Sequence, residues 1–182
     1  MQFKQTDHPQ VLIIEPQIFR DERGFFMETY RSKFFSNGGI PFEFVQENHS
    51  SSKKGVLRGL HYQLGRPQGK LVRVVSGEVF DVAVDLRRSS PRFGAWVAAR
   101  LSAKNHLQMW IPPGFAHGFY VLSQSADLLY KTTDYYFPEG DRCIRWDDPS
   151  LAVDWPVPPG SRPVLSPKDE SGAWLAQAEV YS

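Results

Sequence analysis

Short runs of β-branched and aromatic residues, separated by Gly, Pro, Asn or Ser, recur along this chain and constrain its fold more than any other feature. Residues 11–14, 71–75 and 79–84 are three such runs. Strands of this length, bounded by turn residues at short intervals, are typical of an all-β sandwich or barrel. The chain has 182 residues, which is enough for one domain with a sizeable core, so we expect a single domain over residues 1–182.

The run that begins at Val79 shows the clearest periodicity. Two sets of residues alternate in it: Phe80, Val82, Val84 and Leu86 on one side, and Val79, Asp81, Ala83 and Asp85 on the other. This period of two predicts a strand with one face in a core. Residues 76–78, Ser-Gly-Glu, lie between this run and the previous one, and they predict a hairpin connection.

Helical patterns are scarce. Residues 31–36 precede two glycines and predict a short helix, and residues 169–178 predict another. The Pro-rich segment 155–160 cannot lie in a central strand, so we expect an ordered surface connection there. No internal repeat or boundary of a second domain is evident.

Composition excludes several classes of function. The net charge is +1, which provides no general attraction for nucleic acid or an anionic membrane. The first residues lack the apolar run of a secretory signal, so we expect a cytoplasmic protein without membrane contact. Cys143 is the only cysteine, which excludes an internal disulfide and a cysteine cluster for zinc. We expect it to be a small apolar filler.

Charged and titratable groups interrupt the apolar strands at Arg58, His61 and Lys70. A charge inside a half-buried strand is costly unless it is paired or faces a ligand. Each residue alone could instead be a hydrogen-bonded or solvated strand residue. Arg58 and His61 have opposite parity, so a regular strand would direct them to opposite faces. Gly59, between them, permits a bulge that turns both toward one cavity.

Two further clusters carry chemistry. In the segment 111–119, a Pro-Pro-Gly turn places His117 at the start of an apolar strand. A metal site would need neighbouring ligands, but residue 63 is Gln and residue 121 is Val, so we expect no metal. In the segment 127–136, Tyr130 and Tyr136 share strand parity with Leu128, and all three should face inward together. Core tyrosines with satisfied hydroxyls remain an alternative.

At these residues the sequence resembles the dTDP-4-dehydrorhamnose 3,5-epimerase family, whose members have a cupin jelly-roll fold. The resemblance covers nearly the whole chain, and several short motifs occur in one order. They are FRDERG at 19–24, QENHS at 46–50, RGLHYQ at 58–63, GKLVRV at 69–74, PPGFAHGF at 112–119 and LSPKD at 165–169.

The resemblance implies an enzyme that needs no cofactor and acts on a dTDP-linked 4-keto-6-deoxy sugar. Protons beside the ketone are acidic because the carbanion delocalises as an enolate. Inversion requires a base, an opposing acid and a positive group at the enolate oxygen. By resemblance His61 is the base, Tyr130 is the acid, Asp169 orients the imidazole and Lys70 stabilises the oxyanion.

The resemblance also implies substrate-binding residues. Arg23, Arg58 and Lys168 would bind the diphosphate, and His117 would contact the sugar. Gln46 and Asn48 are two apart and share one strand face, so both would meet the nucleotide or sugar, and Glu28 would accept from a polar group of the base or the sugar. Phe19 and Tyr136 would enclose the thymine. Asp141 stands where the family has a glutamate, and Cys143 replaces a common glycine.

Like the family, the chain is expected to form a homodimer, in which the segment with Phe19, Arg23 and Glu28 could line the partner's site. The implied reaction converts dTDP-4-dehydro-6-deoxy-D-glucose to dTDP-4-dehydro-L-rhamnose. Three alternatives remain at this point: a related epimerase that inverts one carbon only or acts on another dTDP-ketosugar, a cupin metalloenzyme such as an oxygenase, and a sugar-nucleotide binding module.

Overall fold

The computed structural model describes residues 1–182 and contains thirteen strands and two short helices. The first strands are β1 (Gln2–Gln5), β2 (Leu12–Glu15), β3 (Ile18–Asp21), β4 (Gly24–Met27), β5 (Gln46–Lys53), β6 (Leu57–Gln63) and β7 (Lys70–Ser76). The remaining strands are β8 (Glu78–Asp85), β9 (Trp96–Ser102), β10 (Gln108–Ile111), β11 (Phe115–Val121), β12 (Ser125–Thr132) and β13 (Asp141–Cys143). The prediction of an all-β fold is confirmed.

Two antiparallel sheets form the body of the molecule. The six-stranded sheet has the order β1-β2-β10-β7-β12-β5, and the five-stranded sheet has the order β13-β6-β11-β8-β9. The third sheet is the small hairpin β3-β4. Val72 and Leu128 of the first sheet and Val79 and Phe119 of the second belong to one buried apolar cluster. The two large sheets therefore pack face to face around a shared core.

Strand β8 is more buried than its alternation predicts. Val82 and Val84 are fully buried on one face, and Val79 and Ala83 are fully buried on the other. The first pair packs with Trp155 and with other residues of the C-terminal segment, which covers the outer face of the five-stranded sheet. The expectation of a single buried face was wrong, because the sequence pattern of β8 gives no sign of this covering segment.

The hairpin predicted at residues 76–78 is also absent. Strand β7 pairs with β10 and β12, whereas β8 pairs with β9 and β11 in the other sheet. Gly77 has a φ of +75°, and a Cβ there would lie 2.0 Å from Ser125 O. The chain therefore crosses between sheets at a glycine that no other residue could replace without strain.

The two helices are peripheral. Helix α1 (Ser32–Asn37) precedes Gly38, as predicted, and its Phe35 packs on the outer face of the six-stranded sheet. Helix α2 (Pro167–Glu170) is shorter than predicted and begins earlier. Ser166 and Asp169 form a capping box at its start. Ala173 then bridges Ile144, which diverts the chain from a longer helix. Neither helix has the length and apolar character needed to span a lipid bilayer.

Candidate active site

A cavity of about 400 Å³ opens between the two large sheets. Three of the predicted chemical groups line it, namely His61, Lys70 and Tyr130. Seven of the predicted binding residues also line it: Gln46, Asn48, Arg58, His117, Tyr136, Asp141 and Lys168. Residues from six strands, from the segment after β12 and from helix α2 thus meet at one place, although the core around them is apolar.

A bulge in β6 turns Arg58 and His61 to the same cavity, as predicted. His61 pairs with His117 on β11, but Arg58 pairs with Phe119, so β6 has one extra residue between the pairs. Gly59 lies at this point with a φ of +110°, and a Cβ there would lie 2.6 Å from His117 O. A glycine is therefore required for the two polar side chains to share one face.

Asp169 contacts His61 from outside the cavity. His61 Nε2 lies 2.6 Å from Asp169 Oδ1, although the geometry of this contact is out of line for a straight N–H···O hydrogen bond. The carboxylate also accepts hydrogen bonds from Gly59 N at 3.0 Å and from Ser166 Oγ at 2.6 Å. Helix α2 thus holds Asp169 firmly, and the carboxylate in turn constrains the imidazole.

Burial and this contact have opposite effects on the two pKa values. Burial lowers the pKa of His61, and Asp169 partly offsets this effect. Burial would raise the pKa of Asp169, but its interactions with His61 and Ser166 outweigh burial and lower the pKa to about 2. Asp169 is therefore a carboxylate at neutral pH, and His61 is a neutral imidazole that is able to accept a proton.

Lys70 is a buried cation on the opposite sheet. It is 8% exposed, and its Nζ donates a hydrogen bond to His61 O at 3.3 Å. Burial lowers the pKa of Lys70 to about 8, while the charges of Asp141 and Asp81 oppose this shift. Lys70 therefore titrates close to neutral pH, and a negative charge that develops beside it would stabilise its ammonium form.

Tyr130 lies on β12, two residues from Thr132, the residue that pairs with Lys70. Burial raises the pKa of Tyr130, Asp141 adds to this effect and Arg58 opposes it. The phenol is therefore protonated at neutral pH and is able to donate a proton. His61 projects from the five-stranded sheet and Tyr130 from the six-stranded sheet, so the two groups approach the cavity from opposing walls.

His117 belongs to a second pair of histidine and aspartate. Its Nε2 lies 3.0 and 2.9 Å from the two carboxylate oxygens of Asp81, and both residues are buried. Because His117 pairs directly with His61 across the strands, two imidazoles lie side by side on one wall of the cavity. Each imidazole is backed by a carboxylate from a different part of the chain.

Polar groups at the cavity mouth are already joined to one another. Asp141 accepts hydrogen bonds from Lys168 Nζ and, at 3.0 Å, from the hydroxyl of Tyr136. Gln46 Nε2 donates to Asn48 Oδ1 at 3.0 Å, which agrees with their predicted common face. Tyr136 lies beyond the end of β12 and is 55% exposed, so the prediction that strand parity turns it inward with Leu128 was wrong, although its side chain does line the cavity.

Cys143 pairs with His61 across β13 and β6, and its Sγ lies 3.9 Å from Asp169 Oδ1. His61, Cys143 and Asp169 form the one group whose donor atoms are close enough to hold a metal ion together, within 4.8 Å of one another. Burial raises the pKa of the thiol to about 12, so the sulfur is protonated. Lys70 and Lys168 place positive charge near His61, which opposes the binding of a cation at this group.

Three predicted binding residues lie away from the cavity. Phe19 and Arg23 belong to the β3-β4 hairpin, and the Arg23 side chain is 85% exposed and pairs with Asp21. Glu28 pairs with Arg31 on the surface. Within one chain these residues are not brought to the other predicted groups.

Sequence reasoning missed two polar residues that support the site: Gln63, which lines the cavity, and Asp81, which lies behind His117. Asp81 was assigned only to a strand face, although a carboxylate among apolar strand residues is the same signal that singled out Lys70. Gln63 was considered only as a missing metal ligand. Its side chain accepts a hydrogen bond from Phe137 N at 2.7 Å and donates to Tyr135 O at 3.0 Å. It thereby positions the segment that carries Tyr136.

Comparison with known proteins agrees with this geometry. The sequence model of the dTDP-4-dehydrorhamnose 3,5-epimerase family matches residues 5–177. A dTDP-4-dehydrorhamnose 3,5-epimerase of Pseudomonas aeruginosa is 58% identical over 174 residues, which cover 95% of each protein.

Solved structures give the same result. A dTDP-6-deoxy-D-glucose-3,5-epimerase from Legionella pneumophila, in complex with dTDP-4-keto-L-rhamnose, is 54% identical with a TM-score of 0.94, covering 98% of this chain and 94% of that one. A 3'-monoepimerase from Streptomyces bikiniensis, in complex with dTDP-quinovose, is 31% identical with a TM-score of 0.87, covering 95% and 87%. The likeness confirms the cupin jelly roll predicted from the sequence. The chain therefore belongs to the dTDP-4-dehydrorhamnose 3,5-epimerase family.

Proposed function

We propose that this chain converts dTDP-4-dehydro-6-deoxy-D-glucose to dTDP-4-dehydro-L-rhamnose by inverting C3 and C5 of the sugar. One observation carries the proposal: a neutral imidazole and a protonated phenol, His61 and Tyr130, enter one cavity from opposing sheets. Inversion of a carbon requires that a proton leave from one face of the ring and return to the other. The family and its relatives support the identity of the substrate.

Proton removal is the task of His61. Its free imidazole nitrogen accepts the proton on the carbon beside the ketone, and the electrons of the C–H bond pass into an enolate. Asp169 favours the imidazolium that forms, since it is a fixed carboxylate in contact with the ring. Lys70 stabilises the negative charge on the enolate oxygen, and a charge-assisted contact of this kind is strong in a buried site.

Proton return is the task of Tyr130. The phenol donates its proton to the opposite face of the same carbon, so the enolate becomes a ketone again with inverted configuration. Solvent then removes the proton from the imidazolium and returns one to the tyrosinate. The same sequence at the second flanking carbon completes the double inversion. No cofactor takes part in either step.

The rest of the substrate is held by the polar mouth of the cavity. Arg58 and Lys168 are the two cations that would bind the diphosphate. Lys168 is joined to Asp141 in the free chain, so the phosphate has to compete with this carboxylate. Gln46 and Asn48 meet the sugar or nucleotide, and Tyr136 contacts the thymine with its exposed ring.

The active form in this proposal is a homodimer of single-domain subunits in the cytoplasm. The β3-β4 hairpin exposes Phe19, Phe25 and Phe26, of which Phe26 is 70% exposed. Such an apolar surface beside Arg23 suits a site on a second subunit. Phe19, Arg23 and Glu28 would then reach the partner's nucleotide. A mass of one chain in sedimentation equilibrium, with full activity, would refute this arrangement.

The substrate and the chemistry are tested together in deuterated water. Purified protein and the 4-keto sugar nucleotide are followed by proton NMR, and deuterium should enter at both C3 and C5. Incorporation at one carbon only would assign the chain to the monoepimerases instead. Binding of dTDP without exchange at either carbon would show a sugar-nucleotide binding module.

A further inference from the structure

We propose that Asp81 is a positioning residue for the reaction. It holds His117 with the Nε2–H on the carboxylate and Nδ1 toward the sugar, where Nδ1 accepts a hydrogen bond from a ring hydroxyl. Its negative charge also favours the ammonium form of Lys70. This inference rests on the proposed function, because it assigns a role within the same cavity.

Asp81 is fully buried behind His117, which is its one hydrogen-bond partner. It lies on β8 on the same face as Val79 and Ala83, which belong to the apolar core. Its register partner on β11 is Phe119, so His117 is its diagonal neighbour. Both oxygens of Asp81 contact only His117 Nε2. A carboxylate in apolar surroundings with one partner is costly, which indicates a purpose other than stability.

The contact determines which nitrogen of His117 carries the proton. A carboxylate only accepts hydrogen bonds, so Nε2 has to be the donor. Nδ1 has no hydrogen-bond partner within the chain, and His117 lines the cavity. In the neutral ring Nδ1 is therefore an acceptor directed at the substrate. The hydroxyls of the sugar are the donors that would meet it.

The second contribution of Asp81 is electrostatic. Lys70 is surrounded by the charges of Asp81, Asp141 and Lys168, and it contacts the main chain of His61. The two carboxylates raise the pKa of Lys70 against the larger effect of burial. Loss of the charge at Asp81 would leave more Lys70 neutral near pH 8, and a neutral amine stabilises an enolate poorly.

Asp85, four residues along the same strand, provides a matched control. It is also fully buried, and its Oδ2 lies 3.3 Å from Nε2 of His8. Unlike Asp81, it also accepts hydrogen bonds from Arg87 and Ser90. Neither His8 nor Asp85 lines the substrate cavity. Asp85 therefore resembles Asp81 in its strand, its burial and its histidine partner, but it has no access to the substrate.

The kinetic test compares Asp81→Asn with Asp85→Asn over a range of pH. For Asp81→Asn we expect kcat/KM to fall at least about tenfold, and the alkaline limb of the kcat profile to move to lower pH. For Asp85→Asn, kcat/KM and the pH profile of kcat should match those of the wild type, even if the variant is less stable. In a His117→Gln background, Asp81→Asn should cause a smaller further loss, because its partner is gone. Wild-type kcat/KM and pH profile in Asp81→Asn would overturn the inference, as would fully additive losses.

A measurement on the wild type needs neither catalysis nor a variant. Nitrogen-15 NMR of the histidine rings should show His117 protonated at Nε2 and unprotonated at Nδ1 in the ligand-free protein, with Nδ1 shifted when a dTDP-sugar binds. A proton on Nδ1 alone would overturn the inference. If the wild type proved inactive on the sugar nucleotide, the proposed function would fail, and this spectrum would still decide the role of Asp81 in orienting His117.

Discussion

His61 on β6 and Tyr130 on β12 line one cavity from opposite sheets of the sandwich. A flat ring bound between the sheets therefore presents one face to the imidazole and the other to the phenol. Asp169 holds the imidazole from behind, while Tyr130 stands on the same sheet as Lys70. The fold itself thus places the base and the acid on opposing walls of one cavity, which is the geometry that inversion requires.

Replacement of the base should stop the reaction at its first step. For His61→Asn we expect solvent exchange at both carbons to fall by roughly 10²- to 10⁴-fold, the range typical of a lost general base. Binding of dTDP, measured by calorimetry, should change little because the base acts on the sugar. His49→Asn is the matched control, since His49 lies on the exposed face of β5. Unchanged exchange in His61→Asn would contradict the assignment.

Replacement of the acid should separate proton removal from inversion. Tyr130→Phe leaves His61 intact, so deuterium exchange should continue while formation of the L-sugar falls by about 10²-fold or more. Both rates are read from the same NMR time course. Tyr120→Phe, a tyrosine packed in the outer core cluster, serves as the control. Equal loss of exchange and product would disfavour the separate roles.

Lys70 should lower stability while it supports activity. The difference between its ordinary pKa of 10.5 and a folded pKa of about 8 corresponds to about 3 kcal/mol at neutral pH. Lys70→Met should therefore raise the free energy of unfolding and abolish turnover. Because the pKa of Lys70 is lower in the folded state, the free energy of unfolding of the wild type should increase as pH rises from 8 to 10.5. Activity should decline over the same range, because the ammonium is lost above pH 8. Urea titrations at several pH values measure the first effect.

Asp169 should contribute in the opposite direction. Its folded pKa of about 2 lies below the ordinary value of 3.8, so its stabilisation is complete above about pH 4 and is lost as pH falls toward 2. The loss should be about 2 kcal/mol. In Asp169→Asn this part of the acid dependence should disappear, and kcat should fall. An acid profile identical to that of the wild type would contradict the contact with His61.

The local features of the site could be predicted from the sequence, but its long-range contacts could not. Gly59 between Arg58 and His61 indicated a bulge, because parity alone would have separated them. The spacing of Gln46 and Asn48 indicated a shared face for the same reason. These are relations within one strand, where geometry depends on neighbouring residues alone.

Contacts between distant segments required the structure. The contact between Asp169 and His61 depends on a C-terminal helix that packs behind β6. The crossing at Gly77 depends on the distant strands that pair with β7 in one sheet and with β8 in the other. Asp81 was overlooked because its alternation with apolar residues indicates a strand face but not which histidine lies above it. The role expected for Arg23 concerns a second subunit, which strand periodicity does not describe.

The most direct test of the central claim is a crystal structure of this protein with dTDP-4-dehydro-L-rhamnose bound. We expect the sugar ring to lie between His61 and Tyr130, with the imidazole and the hydroxyl facing opposite sides of C3 and C5 and the ketone oxygen within hydrogen-bond distance of Lys70. A sugar bound with both groups on the same side, or outside the cavity between the two sheets, would contradict the account.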